Sequence, residues 1–205
     1  MRQTGWQLTL KRAIDRLAGA AGLIAASPVL AATALAIRAT MGAPVLFTQP
    51  RTGHRGRTFE ILKFRTMRDA VGPDGRPLPD GARLTPLGRF LRSTSLDELP
   101  QLVNVLRGEL SLVGPRPLLP RYVPRYTPEQ RRRLDVLPGM TGWAQINGRN
   151  AVDWPTKLRL DVWYVDHWSL WLDLEILGLT AIRVLQRTGV ARSATETMPE
   201  FMGES

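Results

Sequence analysis

Cysteine is absent from all 205 residues, so the chain has neither a disulfide framework nor a Cys-based zinc site, and a reducing compartment suits it. Acids are scarce: 18 Asp and Glu face 28 Lys and Arg, a net charge of +10 with a pI near 11.2. That excess points to phosphate-bearing partners, whether nucleic acid, nucleotides or an anionic membrane surface. Charge is missing altogether from Leu17 to Ile37, and no second apolar stretch of that kind follows. The length allows about one to one and a half ordinary domains and a sizeable core.

The uncharged stretch is the first feature to interpret. Before it, Trp6, Leu8, Leu10, Ile14 and Leu17 alternate with Lys11, Arg12, Asp15 and Arg16, as in a helix lying at a membrane interface. A straight helix over Leu17 to Ile37 would reach ~30 Å, about one hydrocarbon core. Ser27-Pro28 falls at its centre, however, where proline removes an amide and the serine hydroxyl can meet part of what is freed. Cations flank both ends: Arg2, Lys11, Arg12 and Arg16 before, and Arg38, Arg51, Arg55 and Arg57 after. The positive-inside tendency holds both flanks on one side, which a simple span cannot satisfy. A helix that enters, kinks at Pro28 and returns does satisfy it, with arms of ~15 Å each. A secretory signal peptide, with Ala34-Leu35-Ala36 as small residues, and a buried soluble helix are the rivals.

The chemistry centres on Ser95-Leu96-Asp97-Glu98-Leu99-Pro100-Gln101. Two adjacent carboxylates stand here after a strongly basic segment, Arg51 to Arg92, with ten Lys and Arg against four acids. Ser95 and Glu98 fit a capping box, which would only start a helix with an apolar stripe of Leu96, Leu99, Val103 and Leu106 and a stop at Gly108. Pro100 makes that start irregular, and a capping box gives Asp97 nothing to do. A carboxylate among cations can instead attack an activated phosphoryl centre and form an acyl phosphate, splitting one hard displacement into two.

Around this pair the punctuation is clear. Pro44 to Gln49 and Thr58 to Met67, joined by a turn at Thr52 to Gly56, read as a hairpin bearing Arg51, Arg55, Arg57, Lys63 and Arg65. Asp69 to Gly81 reads as a loop, and Thr85-Pro86 opens a short helix presenting Arg89 and Arg92. Ser111 to Val113 reads as a strand. In Pro115-Arg116-Pro117 two prolines fix one guanidinium, which suits a phosphate fork, although a plain surface turn has the same pattern. Thr127-Pro128-Glu129-Gln130 has capping-box spacing. Pro138 to Trp143 is glycine-punctuated and reads as a loop, and Gln145 to Asn150 presents Arg149 as a second anion-binding candidate. Trp154, Trp163, Trp168 and Trp171 suit either a core or an interfacial belt, and Leu170, Leu174, Leu177 and Ile182 form a helical stripe.

In order, Lys11-Arg12 with Asp15, Ser27-Pro28, Pro44 to Gln49, Lys63 to Met67, Leu91-Arg92 leading to Ser95 to Gln101, Val113 to Pro117, Pro138-Gly139 and Asn147 to Asn150 closely resemble the bacterial sugar transferase family. The resemblance is to its monotopic polyprenyl-phosphate phosphoglycosyl transferases and covers about residues 8 to 175. It implies transfer of a sugar phosphate from a UDP-sugar to undecaprenyl phosphate at the cytoplasmic face of the bacterial inner membrane, with release of UMP and a need for Mg²⁺. It also implies Asp97 as nucleophile, Glu98 assisting through metal contact or proton handling, and Asp97 and Glu98 as metal ligands. Lys63, Arg92, Arg116 and Arg149 fall on its phosphate- or substrate-binding positions. Lys11, Arg12, Asp15, Ser27 and Pro28 fall on the re-entrant anchor.

The expected fold is therefore α+β and monotopic: a re-entrant helix kinked at Ser27-Pro28, a small β-hairpin, and several amphipathic helices at the membrane surface. The expected organisation is an anchor over 1–40, a continuous catalytic domain over 41–190 and a loose tail over 191–205, with one hydrophobic segment marking a minimal form. The partners expected are a UDP-sugar, undecaprenyl phosphate and the bilayer, without nucleic acid. From charge alone, a tethered basic module that binds nucleic acid or anionic lipid without catalysis remains open, as does a phosphatase-like use of the aspartate.

Overall fold

The longest element is a single helix, α1 (Gly5–Met41), that runs through Pro28. Proline leaves the carbonyl of Ile24 without its amide partner, and the Ser27 hydroxyl donates to that carbonyl at 2.8 Å. The structure, a computed structural model, describes residues 5–147, 152–186 and 200–203. Among these, α1 is the one helix long and apolar enough to cross a membrane, by length and composition. Only 11% of its most apolar window is buried, which separates it from the core helix of a soluble protein.

After α1 come β1 (Leu46–Thr52) and β2 (Thr58–Phe64), an antiparallel hairpin with Gln49 opposite Ile61. Three helices follow: α2 (Asp80–Arg83), α3 (Pro86–Ser93) and α4 (Gln101–Arg107). Then β3 (Ser111–Val113) pairs in parallel with β4 (Gly139–Thr141), with α5 (Pro128–Arg131) between them. The chain continues through α6 (Trp143–Asn147), α7 (Trp154–His167) and α8 (Leu170–Leu185). The architecture is mixed helix and sheet, as the sequence indicates.

Both arms of α1 pack on this body. In the first arm Gly19 and Gly22 leave room for Val105 and Leu102 of α4, each within 3.3 Å of where a Cβ would stand. In the second, Ile37 is fully buried against Phe64 and Leu91, with Leu30 and Ala34 beside it. Arg65 closes the helix: its guanidinium donates to the carbonyls of Ala43 at 3.1 Å, Gly42 at 2.8 Å and Met41. Between the arms, Ile24 and Val29 are exposed.

Lys11 and Asp15 turn inward and form the joint between α1 and the body, while Arg12 faces out. The Lys11 ammonium lies 2.6 Å from Asp173 Oδ2 and 3.2 Å from the Val113 carbonyl. Asp173 also accepts from the Tyr164 hydroxyl at 2.7 Å and Trp168 Nε1 at 3.2 Å. Asp15 accepts from the Ser111 hydroxyl at 2.7 Å and the Leu112 amide at 3.2 Å. Removing one member of a buried pair leaves an uncompensated charge, so Asp173→Ala should lower stability by about 3–5 kcal/mol in a denaturant titration in detergent micelles.

Several expectations change. The stripe expected on α4 is misplaced: Leu106 is exposed and Leu102 and Val105 face the core, because the glycine face of α1 docks there. The segment from Pro138 is a strand rather than a loop, since its partner β3 lies far back in the sequence. Gly139 permits that pairing, as a Cβ there would meet the Gly114 amide nitrogen at 2.1 Å. The tryptophans divide: Trp168 is buried, Trp154 packs with Tyr122 and Phe201, Trp163 stacks on Trp143, and Trp171 is exposed. On α8 the core face is Leu172 and Ile176, so Leu174 and Ile182 of the expected stripe point outward. Of the segment 191–205, read as a loose tail, only residues 200–203 are described. Those are docked: Phe201 is 2% exposed between Tyr122, Tyr126 and Trp154.

Candidate active site

Helix α3 begins the construction. Thr85 caps it by accepting from the Gly88 amide at 2.9 Å, and Pro86 supplies a first-turn residue that needs no amide partner. Gly88 lies so close to the backbone of Thr66 that a Cβ would fall 1.9 Å from its carbonyl oxygen. That contact fixes α3 beside the end of β2, and Arg92 Nε reaches the Thr66 hydroxyl at 3.1 Å.

The acid pair sits on the turn that follows. Ser95 is not a helix cap: its backbone is left-handed, with φ 58°, and its side chain makes no capping bond. Leu96, Asp97 and Glu98 form one 3-10 turn, and α4 starts after Pro100 and stops at Gly108 in the left-handed region, the stop read from sequence. The capping-box reading of Ser95 and Glu98 is therefore incorrect. The turn reverses the chain sharply enough to send Glu98 toward cations instead of back to the Ser95 amide.

Glu98 Oε1 receives the Lys63 ammonium at 2.6 Å and Arg116 at 2.7 Å. Burial alone would raise this carboxyl, but the Arg116 and Lys63 charges and their hydrogen bonds outweigh it and hold Glu98 well below the usual carboxylate range. Arg116 is held in turn by its backbone. Gly139 donates to the Pro115 carbonyl at 3.0 Å, and Arg133, buried against Asp161, donates to the Arg116 carbonyl at 2.6 Å.

Asp97 differs from its neighbour in almost every respect. It is 8% exposed and, among the described residues, makes no hydrogen bond or ion pair. Burial, and secondarily the charge of Glu98, push its carboxyl up to about 6, against the opposing pull of Lys63, Arg92 and Arg116. Two adjacent carboxylates thus have separated roles. One is locked as an anion by two cations; the other keeps its lone pairs available and titrates near neutrality.

Of the residues expected from sequence, Asp97, Glu98, Lys63, Arg92 and Arg116 come together, and Arg149 lies outside the described residues. Two further cations, which sequence reasoning does not place there, come close enough to Arg116 to feel its charge. Arg51 is pushed down to about 10 by burial and then by the charge of Arg116. Lys157, lying 5.3 Å from the centre of the Trp154 ring, is pushed down to about 8 by burial and by Arg116, partly offset by Asp161. Arg51 is legible as a hairpin cation, whereas Lys157 is one charge on a helix with no local signal. Cations this crowded repel one another, and an arriving phosphate relieves that repulsion.

The donor set also bears on a metal. Among the described residues no group of three or more His, Asp or Glu side chains is arranged to hold an ion, so an all-protein cage is excluded there. Two carboxylates with an unbonded Asp97 suit a hard cation that takes one or two protein oxygens and completes its shell with water and substrate phosphate, the habit of Mg²⁺.

Residues 6–187 match the family model described as bacterial sugar transferase. The chain is 51% identical over 196 residues to the uncharacterized sugar transferase EpsL of Bacillus subtilis, covering 96% of this chain and 97% of that one. It is 43% identical over 195 residues to the undecaprenyl-phosphate glucose phosphotransferase of Komagataeibacter xylinus, covering 87% of this chain but 36% of that protein. With the undecaprenyl-phosphate galactose phosphotransferase of Salmonella typhimurium it shares 40% identity over 198 residues, covering 88% of this chain and 41% of that protein. The chain therefore spans nearly all of the first relative and less than half of the other two.

Proposed function

This chain belongs to the bacterial sugar transferase family, and we propose that it moves a sugar phosphate from a UDP-sugar to undecaprenyl phosphate, releasing UMP, by way of a phosphosugar covalently held on Asp97. Enzymatic sugar-phosphate transfer follows from the family and from relatives named for that reaction, which sets aside a purely binding role for the basic surface. The observation that carries the mechanism is the contrast between Asp97, buried and unbonded among the described residues, and Glu98, locked by Lys63 and Arg116.

The step balances without a proton. A carboxylate oxygen of Asp97 attacks the phosphorus that bears the sugar, and the bond from that phosphorus to the bridging oxygen breaks. UMP leaves with the bonding pair. An oxygen of undecaprenyl phosphate then attacks the same phosphorus, breaking the acyl phosphate bond and restoring the carboxylate. Lys63, Arg92 and Arg116 offset the repulsion between the carboxylate and the diphosphate and stabilise charge on the leaving nucleotide. Glu98 keeps Lys63 and Arg116 oriented, and together with Asp97 it would hold Mg²⁺. The chemistry such an ion would supply there is neutralisation of the charge on the diphosphate.

In this reading α1 is the membrane anchor. Its two arms packed on one body, with exposed apolar residues between them, support a re-entrant rather than a spanning course. A site beside such an anchor meets a lipid phosphate at headgroup depth, and the catalytic body faces the cytoplasm.

A panel of UDP-sugars with Mg²⁺, scored for UMP release with and without undecaprenyl phosphate, tests the reaction. Steady turnover that requires the lipid supports it, and steady hydrolysis without lipid would replace it with a phosphatase. The pH profile is a second check. Because Asp97 must be ionised and burial pushes its carboxyl up to about 6 in the metal-free protein, kcat/KM, which reports the free enzyme, should level off above that pH and fall roughly tenfold per unit below it. A profile flat down to about pH 4.5 would exclude Asp97 as the titrating group.

A further inference from the structure

A second concentration of positive charge lies away from the acid pair. A cleft of about 460 Å³ opens between the turn of the hairpin, the first arm of α1 and the end of α4. Arg12, Arg16, Arg55, Arg57 and Arg107 line it. None of these five makes an ion pair or a side-chain hydrogen bond among the described residues. The two acids in the lining are already engaged. Asp15 accepts from Ser111 and Leu112, and Glu109 accepts from Asn104 at 2.7 Å. With five arginines to two acids in the lining, the cleft presents a net positive charge to whatever enters it, and a concave wall with an excess of one sign concentrates counter-ions.

Its position separates it from the reaction site and relates it to the membrane. It lies at the Thr58 end of β2, whereas Lys63 is five residues along the strand, roughly 16 Å at the ordinary rise. Arg16 immediately precedes Leu17, where α1 loses its charge, and Arg12 is one helical turn earlier. Leu10, Ile14 and Leu17 are exposed on the same stretch. Guanidinium groups beside exposed leucines at the mouth of an apolar arm match a molecule with a phosphate head and acyl tails better than a free anion.

We propose that this cleft binds the phosphate headgroup of an anionic phospholipid and fixes the depth of the hairpin turn at the membrane surface. The proposal rests on the reading of α1 as membrane-inserted. Three guanidinium groups can be removed without touching the catalytic residues or any buried contact: Arg55→Gln, Arg57→Gln and Arg107→Gln together.

The test uses the full chain in detergent micelles supplied with equal phosphatidylglycerol and phosphatidylcholine, and counts retained lipid by native mass spectrometry. Wild type should retain phosphatidylglycerol preferentially. The triple variant should retain it on the order of 100-fold more weakly, from about 1 kcal/mol for each of three cations near an anionic surface, with unchanged melting and unchanged UMP release. Equal retention of the two lipids by wild type, or equal phosphatidylglycerol retention by variant and wild type, would overturn the proposal. Displacement of the lipid by millimolar inorganic phosphate would also overturn it, leaving a free-anion site. Retention of neither lipid, with loss of flotation on vesicles, would instead remove the reading of α1 on which it rests.

Discussion

Replacing Asp97 by Asn should abolish turnover, by at least about 10⁴-fold, while leaving the protein as stable as before or more so. The first half follows from removal of the attacking atom: an amide does not displace a nucleotide, and the remaining cations still bind substrate. The second half follows from the same burial. The Asp97 carboxyl is raised from its ordinary 3.8 to about 6, so the folded protein takes up this proton more readily than the unfolded chain. Stability therefore falls as pH rises through that interval and stays lower above it, by roughly 3 kcal/mol at most for about two pKa units. Asn removes this penalty. Melting of Asp97→Asn in chelator should match or exceed wild type at about pH 8 and converge with it below the ordinary carboxyl range. Loss of activity with a lower melting point would signal a structural carboxylate instead of a nucleophile.

Glu98→Gln should give the next largest loss, about 10²–10⁴-fold in kcat, with a displaced pH profile. Gln keeps the shape but not the charge that holds Lys63 and Arg116 at 2.6 and 2.7 Å. Two consequences follow together. The cations lose their orientation, and Asp97 loses the neighbouring anion that helps to raise its carboxyl while Lys63 and Arg116 become free to lower it. The residual activity of Glu98→Gln should then show its acid limb below that of wild type. A loss of rate with the limb unmoved, or moved upward, would mean that the two carboxylates are not electrostatically coupled.

Local chemistry makes part of this legible in the sequence. The caps at Thr85 and Thr127, the stop at Gly108 and the hairpin between Leu46 and Phe64 all depend on residues a few positions apart. Asp97 with Glu98, and Arg116 between two prolines, stand out for the same reason. What stays hidden depends on residues that meet only after folding. The pairing of β3 with β4, the inward turn of Lys11 toward Asp173, and the docking of Phe201 have no signal within their own segments. Ser95 illustrates the converse. Its spacing to Glu98 is that of a cap, but the distant partners Lys63 and Arg116 bind the glutamate more strongly than the Ser95 amide can. Lys157 joins the cation cluster for a non-local reason as well, through its approach to Arg116.

The most direct test of the central claim is the mass of the intact protein after incubation with a UDP-sugar and Mg²⁺ in the absence of undecaprenyl phosphate. The account predicts a burst of UMP equal to the enzyme present and an added mass of one sugar phosphate. That mass should lie on the peptide containing Asp97, be absent from Asp97→Asn, and be discharged when undecaprenyl phosphate is added. UMP formed only when the lipid is present, with no adduct under any condition, would contradict it and require direct transfer between the two substrates.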